Sequence, residues 1–443
     1  MSESKRENFV TRRLKLLLWM LGLGGICAAH AELQVDITKG VTDPIAIAIV
    51  PFGGSAAAAS GLDLAALVQR DLDGSGRFKS MERRTFPGQP SRATDVVAAD
   101  WRAVGDDYVV VGWITPVDAT HLNLDCELVN TLTGQKLGSL RVNGAAANMR
   151  AAAHQVSDFV YAKIIGTRGA FATRIAYVAV DGSPPAQHFQ LIVADADGEN
   201  SKIVLDSRQP IMSPAWSADG QWLAYVSFEN HASAIFVQQL RSGERHQVSA
   251  RAGVNGAPAW SPDGHRLALT LSGSSGNLDV YVLDLATQAL TRITDDPAID
   301  TEPTWSPDGT SLYFTSDRSG GPQVYKTEVA TPQRVQRITF GSSYNARPQL
   351  SPDGRTMALV SREGTDYRIA VQDLASGSVR VLTRGSFDKS PGFAPNGMSL
   401  IYSGRSGEKG TLATVAVDGL VSQRLKSDRG EVRDPVWGPF AGP

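Results

Sequence analysis

The chain has 443 residues, more than one ordinary domain needs, and its length predicts two or three domains. Hydrophobic residues make up 42% and charged residues 20%, which is typical of a globular chain rather than a disordered one. The formal net charge of −2 argues against a nucleic-acid binder. Gly (43) and Pro (23) are abundant, which favours many short strands joined by turns.

Residues 1–31 have the three parts of a secretory signal peptide. A basic stretch (residues 5–15) leads into an apolar run (residues 14–26), and Ala29-His30-Ala31 supplies the small residues of a cleavage site. We predict cleavage between Ala31 and Glu32 and export to the periplasm, with a buried N-terminal helix as the alternative. Cys126 is then the one cysteine left, which rules out an internal disulfide, and its alternating surroundings predict a buried strand residue.

Residues 32–168 lack any repeat and predict an α+β N-terminal domain, preceded by a mobile segment at residues 32–43. Periodicity of the apolar residues separates strands from helices in this region. The predicted strands are 45–50, 108–114, 122–129 and 138–142, and the predicted helices are 62–72, 95–101 and 148–165.

From residue 169 onward the motif Pro-x-Trp-Ser-Pro-Asp-Gly recurs, with looser copies at the end of the chain. The copies begin at Pro214, Pro258, Pro303, Pro348, Pro391 and Pro435, at spacings of 44, 45, 45, 43 and 44 residues. Ser-Pro-Asp-Gly suits a type I turn between two strands. Two further strand patterns follow in each repeat, and four strands per repeat of this length are typical of a propeller blade.

The repeat is incomplete at both ends, and the two partial copies complement each other. The last motif supplies one strand, and three unpaired strand patterns lie ahead of the first motif, at 174–180, 189–194 and 202–205. We therefore predict an all-β six-bladed propeller over residues 169–443, closed by one C-terminal strand plus three N-terminal strands, with an open solenoid as the alternative. Trp216, Trp260 and Trp305 recur with the scaffold and are predicted to fill space between blades.

The sequence carries no recognisable catalytic motif. Gly-x-Ser-x-Gly, His-Glu-x-x-His, Cys-x-x-Cys and a phosphate loop are all missing. The histidines after the leader are His121, His154, His188, His231, His246 and His265. They are scattered, mostly in polar turns, and we interpret them as surface residues rather than a zinc site. We predict no cofactor, although Glu302 and Asp434 leave open a Ca²⁺ ion in the channel.

The residue just before each repeated Pro changes from blade to blade, while the Pro does not. These residues are Ser213, Ala257, Glu302, Arg347, Ser390 and Asp434. Because the loop that feeds each innermost strand opens on one face, we expect them to form a ring around the channel mouth. Variation on a fixed scaffold is typical of a recognition surface. The alternative is an enzyme or a small-ligand sensor that uses the channel.

Several of these segments resemble the TolB family, the periplasmic component of the Tol–Pal envelope system. The matching segments are 209–217 (Gln-Pro-Ile-Met-Ser-Pro-Ala-Trp-Ser), 255–259 (Asn-Gly-Ala-Pro-Ala), 301–305 (Thr-Glu-Pro-Thr-Trp) and 315–318 (Thr-Ser-Asp-Arg). The order of leader, α/β domain and propeller adds to the resemblance. It implies a non-catalytic protein that links the outer-membrane lipoprotein Pal to the inner-membrane Tol complex, and that supports outer-membrane integrity and constriction during cell division.

The resemblance also implies two binding surfaces. Pal is expected at the channel mouth, on the six ring residues together with Asn255, Gly256 and Thr301. Val254 stands where some relatives carry a polar residue. TolA is expected on the start of the mature chain, at Glu32, Leu33, Gln34, Val35, Asp36, Ile37 and Thr38. Their alternation of apolar and polar residues suits a strand added to a partner's sheet, or an edge strand of the chain's own domain.

Overall fold

The computed structural model describes residues 44–56, 61–273, 276–406, 409–427 and 430–441. The predicted signal peptide (1–31) and the segment predicted to bind TolA (32–43) lie outside the described residues. None of the helices described is long and apolar enough to span a membrane.

The N-terminal domain is a five-stranded sheet in the order β2-β1-β3-β4-β5 with helices against it. Its strands are β1 (Ile45–Ile49), β2 (Phe78–Ser80), β3 (Tyr108–Pro116), β4 (His121–Asn130) and β5 (Lys136–Ala145). Its helices are α1 (Leu64–Gly74), α2 (Ala98–Ala103) and α3 (Met149–Ile165). Strand β1 runs parallel to β2 and β3, whereas β3, β4 and β5 pair antiparallel.

Both faces of this sheet are covered, which explains the continuous apolar run in β3. Helices α1 and α3 pack on one face, and Trp101 of α2 packs on the other with Val109 and Val111. Helix α1 begins where Asp63 Oδ1 accepts a hydrogen bond from the Ala66 N–H at 2.9 Å, an N-cap that ends the preceding loop. Cys126 is fully buried in β4, as predicted.

The propeller has six four-stranded blades. The innermost strands are β9 (Ile211–Trp216), β13 (Asn255–Trp260), β17 (Asp300–Trp305), β21 (Asn345–Leu350), β25 (Lys389–Phe393) and β29 (Glu431–Trp437). The second strands are β6 (Arg174–Asp181), β10 (Trp222–Ser227), β14 (Arg266–Ser272), β18 (Ser311–Ser316), β22 (Thr356–Glu363) and β26 (Ser399–Ser406). The third strands are β7 (His188–Asp195), β11 (Ala234–Gln239), β15 (Leu278–Asp284), β19 (Gln323–Glu328), β23 (Asp366–Asp373) and β27 (Lys409–Ala416). The outer strands are β8 (Lys202–Ser207), β12 (Arg245–Ser249), β16 (Leu290–Arg292), β20 (Thr331–Arg337), β24 (Val379–Val381) and β28 (Ser422–Arg424).

The circle closes as the repeat predicts, with one strand from the end of the chain and three from ahead of the first motif. Strand β29 pairs antiparallel with β6, in a blade of order β29-β6-β7-β8. Each innermost strand contacts the next around the channel, and β29 contacts β9 to complete the cycle. The six-bladed propeller is therefore confirmed, and the open solenoid is wrong.

The repeated turn and the repeated Trp have structural roles. In the turn at Ser261, the hydroxyl accepts from the Arg266 N–H at 2.9 Å, and Asp263 accepts from the His265 N–H at 3.0 Å. The Ser261 hydroxyl lowers the pKa of Asp263 to about 2. Trp305 packs between two blades and donates from Nε1 to the Ala259 carbonyl at 3.1 Å. Trp216 and Trp260 also pack against residues of two blades, so the prediction that these Trp residues fill space between blades is confirmed.

A buried carboxylate in the N-terminal domain gives a pH-dependent prediction. Asp106 is 2% exposed, and neither of its carboxylate oxygens has a hydrogen-bond partner among the described residues. Burial, helped by the neighbouring Asp107, raises the pKa of Asp106 to about 6. Because the raised pKa favours the neutral acid in the folded state, this group stabilises the fold at low pH, and the benefit is lost as the pH rises through about 6.

Asp106→Asn should therefore raise the free energy of unfolding by about 1–2 kcal/mol at pH 8 and change it little at pH 4. Urea unfolding at the two pH values measures the difference. Asp107→Asn is the matched control, because Asp107 is exposed and its substitution should change the free energy of unfolding by less than about 0.5 kcal/mol in either direction. If Asp106→Asn raised the free energy of unfolding equally at both pH values, ionisation of Asp106 would not be the cause.

Candidate binding site in the propeller channel

A β-bulge interrupts every innermost strand at the ring residue and the Pro that follows it. In β13, for example, the register with β14 shifts between Gly256 and Ala259, so Ala257 and Pro258 form the bulge. The six ring residues share a left-handed backbone, with φ of 50° (Ser213), 44° (Ala257), 55° (Glu302), 56° (Arg347), 53° (Ser390) and 46° (Asp434). A positive φ is uncommon outside Gly. Its recurrence in all six blades shows that the bulge is a regular part of the channel architecture.

The six ring residues lie deeper in the channel than the sequence predicts, since the prediction put them in the loops around its mouth. All six ring residues line one channel cavity of about 320 Å³, whose far end reaches the repeated Trp residues. Arg347, Ser390 and Asp434 also line a second cavity of about 750 Å³ on the other side, together with Phe387 and Lys389. The ring therefore sits inside the innermost strands and separates two halves of the channel, because the bulge turns these side chains inward.

Arg347 joins four blades across the channel. Its Nε donates to Glu302 Oε1 at 2.7 Å, and its Nη1 donates to Asp434 Oδ1 at 2.9 Å and also to the Ser390 hydroxyl. Ser390 Oγ in turn donates to Asp434 Oδ1 at 2.9 Å. The backbone N–H of Ser213 donates to Asp434 Oδ2 at 3.2 Å, which brings a fifth ring residue into the network.

The network fixes the charge of its members. Burial alone would raise the pKa of Asp434, but the Arg347 guanidinium holds it below its ordinary value. Burial works against the charged guanidinium, yet Asp434 and Glu302 together hold the pKa of Arg347 above its ordinary value. One cation thus balances one of the two carboxylate charges inside a partly enclosed channel.

The predicted Ca²⁺ site would use these same two carboxylates. Glu302 Oε2 also accepts from the backbone N–H of Arg347 at 3.1 Å and from the Thr315 hydroxyl at 3.0 Å. A calcium ion between Glu302 and Asp434 would have to displace the guanidinium and these donors. Calcium in the channel stays a prediction.

Three further residues predicted to contact Pal differ in what they offer a partner. Asn255 is 1% exposed, and its amide accepts from the Ser249 hydroxyl at 2.7 Å and donates to the Arg251 carbonyl at 2.7 Å. Its side chain therefore holds the loop ahead of β13 and presents no surface to a partner. Gly256 and Thr301 are partly exposed and remain accessible.

Four of the six blades carry an apolar residue at the same position ahead of the ring, a pattern that the sequence analysis did not predict. We define the mouth rim as Val254, Ile299, Tyr344 and Phe387, each three residues ahead of a ring residue in four consecutive blades. Val254, Ile299 and Phe387 are 44%, 46% and 36% exposed. Exposed apolar residues at equivalent positions of neighbouring blades favour an interaction surface. Alignment of the repeats on their Pro would have revealed this pattern.

The aromatic members of the mouth rim are held in place by edge-to-face contacts. The ring centroids of Tyr344 and Tyr367 lie 5.1 Å apart at 86°, and those of Tyr367 and Phe387 lie 5.7 Å apart at 88°. Lys389 Nζ lies 3.8 Å from the centre of the Phe387 ring. The rim is therefore a preorganised surface that carries both apolar and cationic groups.

The left-handed backbone at the ring gives a second prediction. Ala257 has φ of 44°, where an L-residue costs roughly 1 kcal/mol relative to Gly. Ala257→Gly should raise the free energy of unfolding by about 0.5 kcal/mol, since relief of strain exceeds the added flexibility of the unfolded chain. Ala259→Gly is the matched control, because Ala259 is paired with Ala268 in the same strand and should lose about 0.5–1 kcal/mol. Urea unfolding measures both variants. If the two substitutions changed the free energy of unfolding in the same direction, the backbone at Ala257 would not be strained.

One histidine is not at the surface, contrary to the interpretation from the sequence. His154 in α3 is 2% exposed, and its Nδ1 lies 2.8 Å from Asp71 Oδ2. The other five histidines after the leader are partly or fully exposed. The helical period of α3 places position 154 on the buried face, but its carboxylate partner lies 83 residues away in the chain and could not be foreseen.

The fold and the site together define an α+β domain joined to a six-bladed β-propeller whose channel is crossed by an ion-pair network and opens at an apolar rim. Two family profiles match the chain: residues 33–137 match the TolB amino-terminal domain, and residues 161–441 match the TolB beta propeller domain. The chain belongs to the TolB family.

Named relatives are similar in sequence to this chain over nearly its full length. The Tol-Pal system protein TolB of Methylococcus capsulatus is 48% identical over 97% of this chain and 99% of its own. That of Thioalkalivibrio sulfidiphilus is 46% identical over 97% of this chain and 98% of its own. The crystal structure of TolB from Acinetobacter baumannii superposes with a TM-score of 0.83 at 41% identity, covering 90% of this chain and 97% of that one.

Proposed function

We propose that this protein is a non-catalytic, periplasmic component of the Tol–Pal system that binds Pal at the propeller channel and TolA through its N-terminal segment. Such a component links the outer-membrane lipoprotein to the inner-membrane complex and supports envelope integrity and constriction at division. The relatives named as Tol-Pal system proteins support membership of the system. The single observation that favours the channel as the docking surface is the exposed mouth rim above the ring network.

The chemistry of this opening suits a protein partner. Exposed aliphatic side chains give buried apolar area on binding, and rigid aromatic rings are common hot spots at protein interfaces. The ring below adds polar groups that are already paired with one another, so a partner need not neutralise an isolated charge.

The rim gives a direct test that leaves the ring network untouched. Val254→Ser with Ile299→Ser should weaken binding of purified Pal by about tenfold or more, because both side chains are exposed and apolar. Val117→Ser with Leu132→Ser is the matched control, since these residues of the N-terminal domain are 51% and 73% exposed. Calorimetric titration measures both. Equal affinities for the two double variants would exclude the rim as the Pal surface.

The N-terminal segment has a separate test. Deletion of residues 32–43 should abolish TolA binding while Pal binding and thermal stability stay unchanged. Normal TolA binding by the shortened protein would exclude this segment. Because the two partners are assigned to different parts of the chain, each deletion or substitution should affect one partner alone.

A second function is favoured by one observation, the convergence of Arg347, Glu302 and Asp434 inside the channel. Converging charged groups beside a cavity of about 320 Å³ are also what a small-ligand sensor would need. A thermal-shift screen of small metabolites and a hydrolase screen on the purified protein address this function. A ligand whose effect disappears in Arg347→Ala would support it.

A further inference from the structure

A buried polar cluster lies where the N-terminal domain meets the propeller, away from the channel. It contains Asp71 of α1, Arg150 and His154 of α3, and Asp195 and Asp197 from the end of β7 and the turn to β8. One ligand atom from each of Asp71, His154 and Asp197 can be chosen so that all lie within 4.8 Å of one another.

His154 has one nitrogen with a partner and one without. Its Nδ1 lies 2.8 Å from Asp71 Oδ2, which also accepts from the Ser157 hydroxyl at 2.6 Å. A carboxylate only accepts, so Nδ1 carries the proton and a neutral imidazole keeps its lone pair on Nε2. That Nε2 is buried and has no hydrogen-bond partner among the residues described.

The free nitrogen faces acidic side chains rather than a donor. His154 Nε2 lies 4.0 Å from Asp195 Oδ2, and the His154 side chain is only 3% exposed. A lone pair and a carboxylate repel each other at this separation, whereas a proton on Nε2 or a metal cation between the two groups would satisfy both. Tetrahedral zinc ligands lie about 2.0–2.2 Å from the metal and therefore about 3.3–3.6 Å from one another. The 4.0 Å between His154 Nε2 and Asp195 Oδ2 would have to shorten by about 0.5 Å when one ion binds between them.

Arg150 neutralises only part of the charge. Its Nε lies 3.1 Å from Asp195 Oδ2, and its Nη2 contacts Asp197 Oδ2 closely. Three carboxylates against one guanidinium leave two negative charges when His154 is neutral. Each carboxylate has further lone pairs beyond those that Arg150 uses, so the guanidinium and a metal ion can share them.

We propose that this interdomain cluster binds a divalent transition metal of the Zn²⁺ class, through His154 Nε2 and the carboxylates of Asp195 and Asp197. Asp71 holds the imidazole through Nδ1, the arrangement in which a second carboxylate orients a metal-binding histidine. Imidazole nitrogen with carboxylate oxygen suits Zn²⁺ better than Ca²⁺, which prefers oxygen alone. The Asp197 side chain is 28% exposed and gives the ion a route from solvent. The metal would tie helix α3 to the first blade strands and thereby join the two domains.

Calorimetric titration of the EDTA-treated mature protein with ZnCl₂ tests the proposal. We expect one saturable Zn²⁺ per chain in the wild type and binding at least tenfold weaker in Asp197→Asn. His154→Asn should abolish it. His188→Asn is the matched control, since His188 also lies beside a carboxylate, 3.5 Å from Asp206, but is 46% exposed and should leave the affinity unchanged.

Two results would overturn the proposal: no saturable Zn²⁺ in the wild type, or equal affinities for wild type and Asp197→Asn. If His154→Asn fails to fold, Asp197→Asn decides alone, because its side chain is partly exposed and Asn keeps the acceptor for the Glu199 N–H. A second readout is the thermal unfolding midpoint. Zn²⁺ should raise it in the wild type and in His188→Asn, and should leave it unchanged in Asp197→Asn.

Discussion

Arg347→Ala should lower the free energy of unfolding by about 3 kcal/mol at pH 7, the largest effect we expect from a single change in the channel. The guanidinium is the cation that faces both Glu302 and Asp434, and its side chain is 29% exposed. Its removal leaves two partly buried carboxylates without their shared cation. The Ser390 hydroxyl also loses the hydrogen bond that Arg347 donates to it. Breaking one partner of a buried pair is costly because the other charge stays without compensation.

The same variant should show a particular dependence on pH. In the wild type the folded-state pKa of Asp434 is lowered, so its stabilisation is present above the ordinary carboxyl pKa and is lost as the pH falls. The gap between wild type and Arg347→Ala should therefore be largest near neutral pH and should shrink below about pH 4. Urea unfolding between pH 3.5 and pH 8 measures it.

Arg433→Ala is the matched control for Arg347→Ala. Arg433 pairs with Glu431 at 2.9 Å in the same innermost strand as Asp434, but its side chain is 45% exposed. An exposed pair contributes little, so the loss should stay below about 1 kcal/mol. If Arg347→Ala cost no more than Arg433→Ala, the network would not be a stabilising element of the channel.

Trp437→Ala should have the second large effect, a loss of about 3 kcal/mol in the free energy of unfolding. Trp437 ends β29, the strand that closes the propeller, and packs against a cluster drawn from the first and last blades, including Ile175 and Leu412. Its Nε1 donates to the Thr173 hydroxyl at 2.8 Å, which ties the end of the chain to the start of β6. The substitution removes both the packing and this hydrogen bond where the circle closes.

Trp437→Phe separates the two contributions. It keeps most of the apolar area and loses the hydrogen bond to Thr173, which should cost about 1 kcal/mol. Equilibrium unfolding in urea compares the two variants. A loss in Trp437→Ala no greater than that in Trp437→Phe would mean that packing at the closing strand is not what holds the circle together.

Repetition made the propeller predictable from the sequence. The turn at Ser261 recurs in other blades with the same side-chain bonds, and each copy adds to the same signal. The N-terminal elements were found at nearly their observed positions because their periodicity is strong. Strand β2 (Phe78–Ser80) was missed, since three residues carry no periodicity and its pairing with β1 is decided in space.

The candidate site was predictable only in part. The identity of the six ring residues followed from their place beside a fixed Pro, but their depth did not, because a left-handed bulge leaves no mark in non-glycine sequence. The contact of Arg347 with Asp434 joins residues 87 apart in the chain. The cluster at His154 depends on an approach of the N-terminal domain to the propeller, which no local pattern encodes.

Site-specific photo-crosslinking tests most directly whether the channel opening is the Pal surface. A benzophenone side chain at Ile299, which is 46% exposed on the mouth rim, should form an adduct with Pal on irradiation of purified proteins. The same group at Leu132, which is 73% exposed on the N-terminal domain, should form none. An adduct from position 299 alone is the result that our account predicts. No adduct from position 299, or an equal yield from position 132, would contradict it.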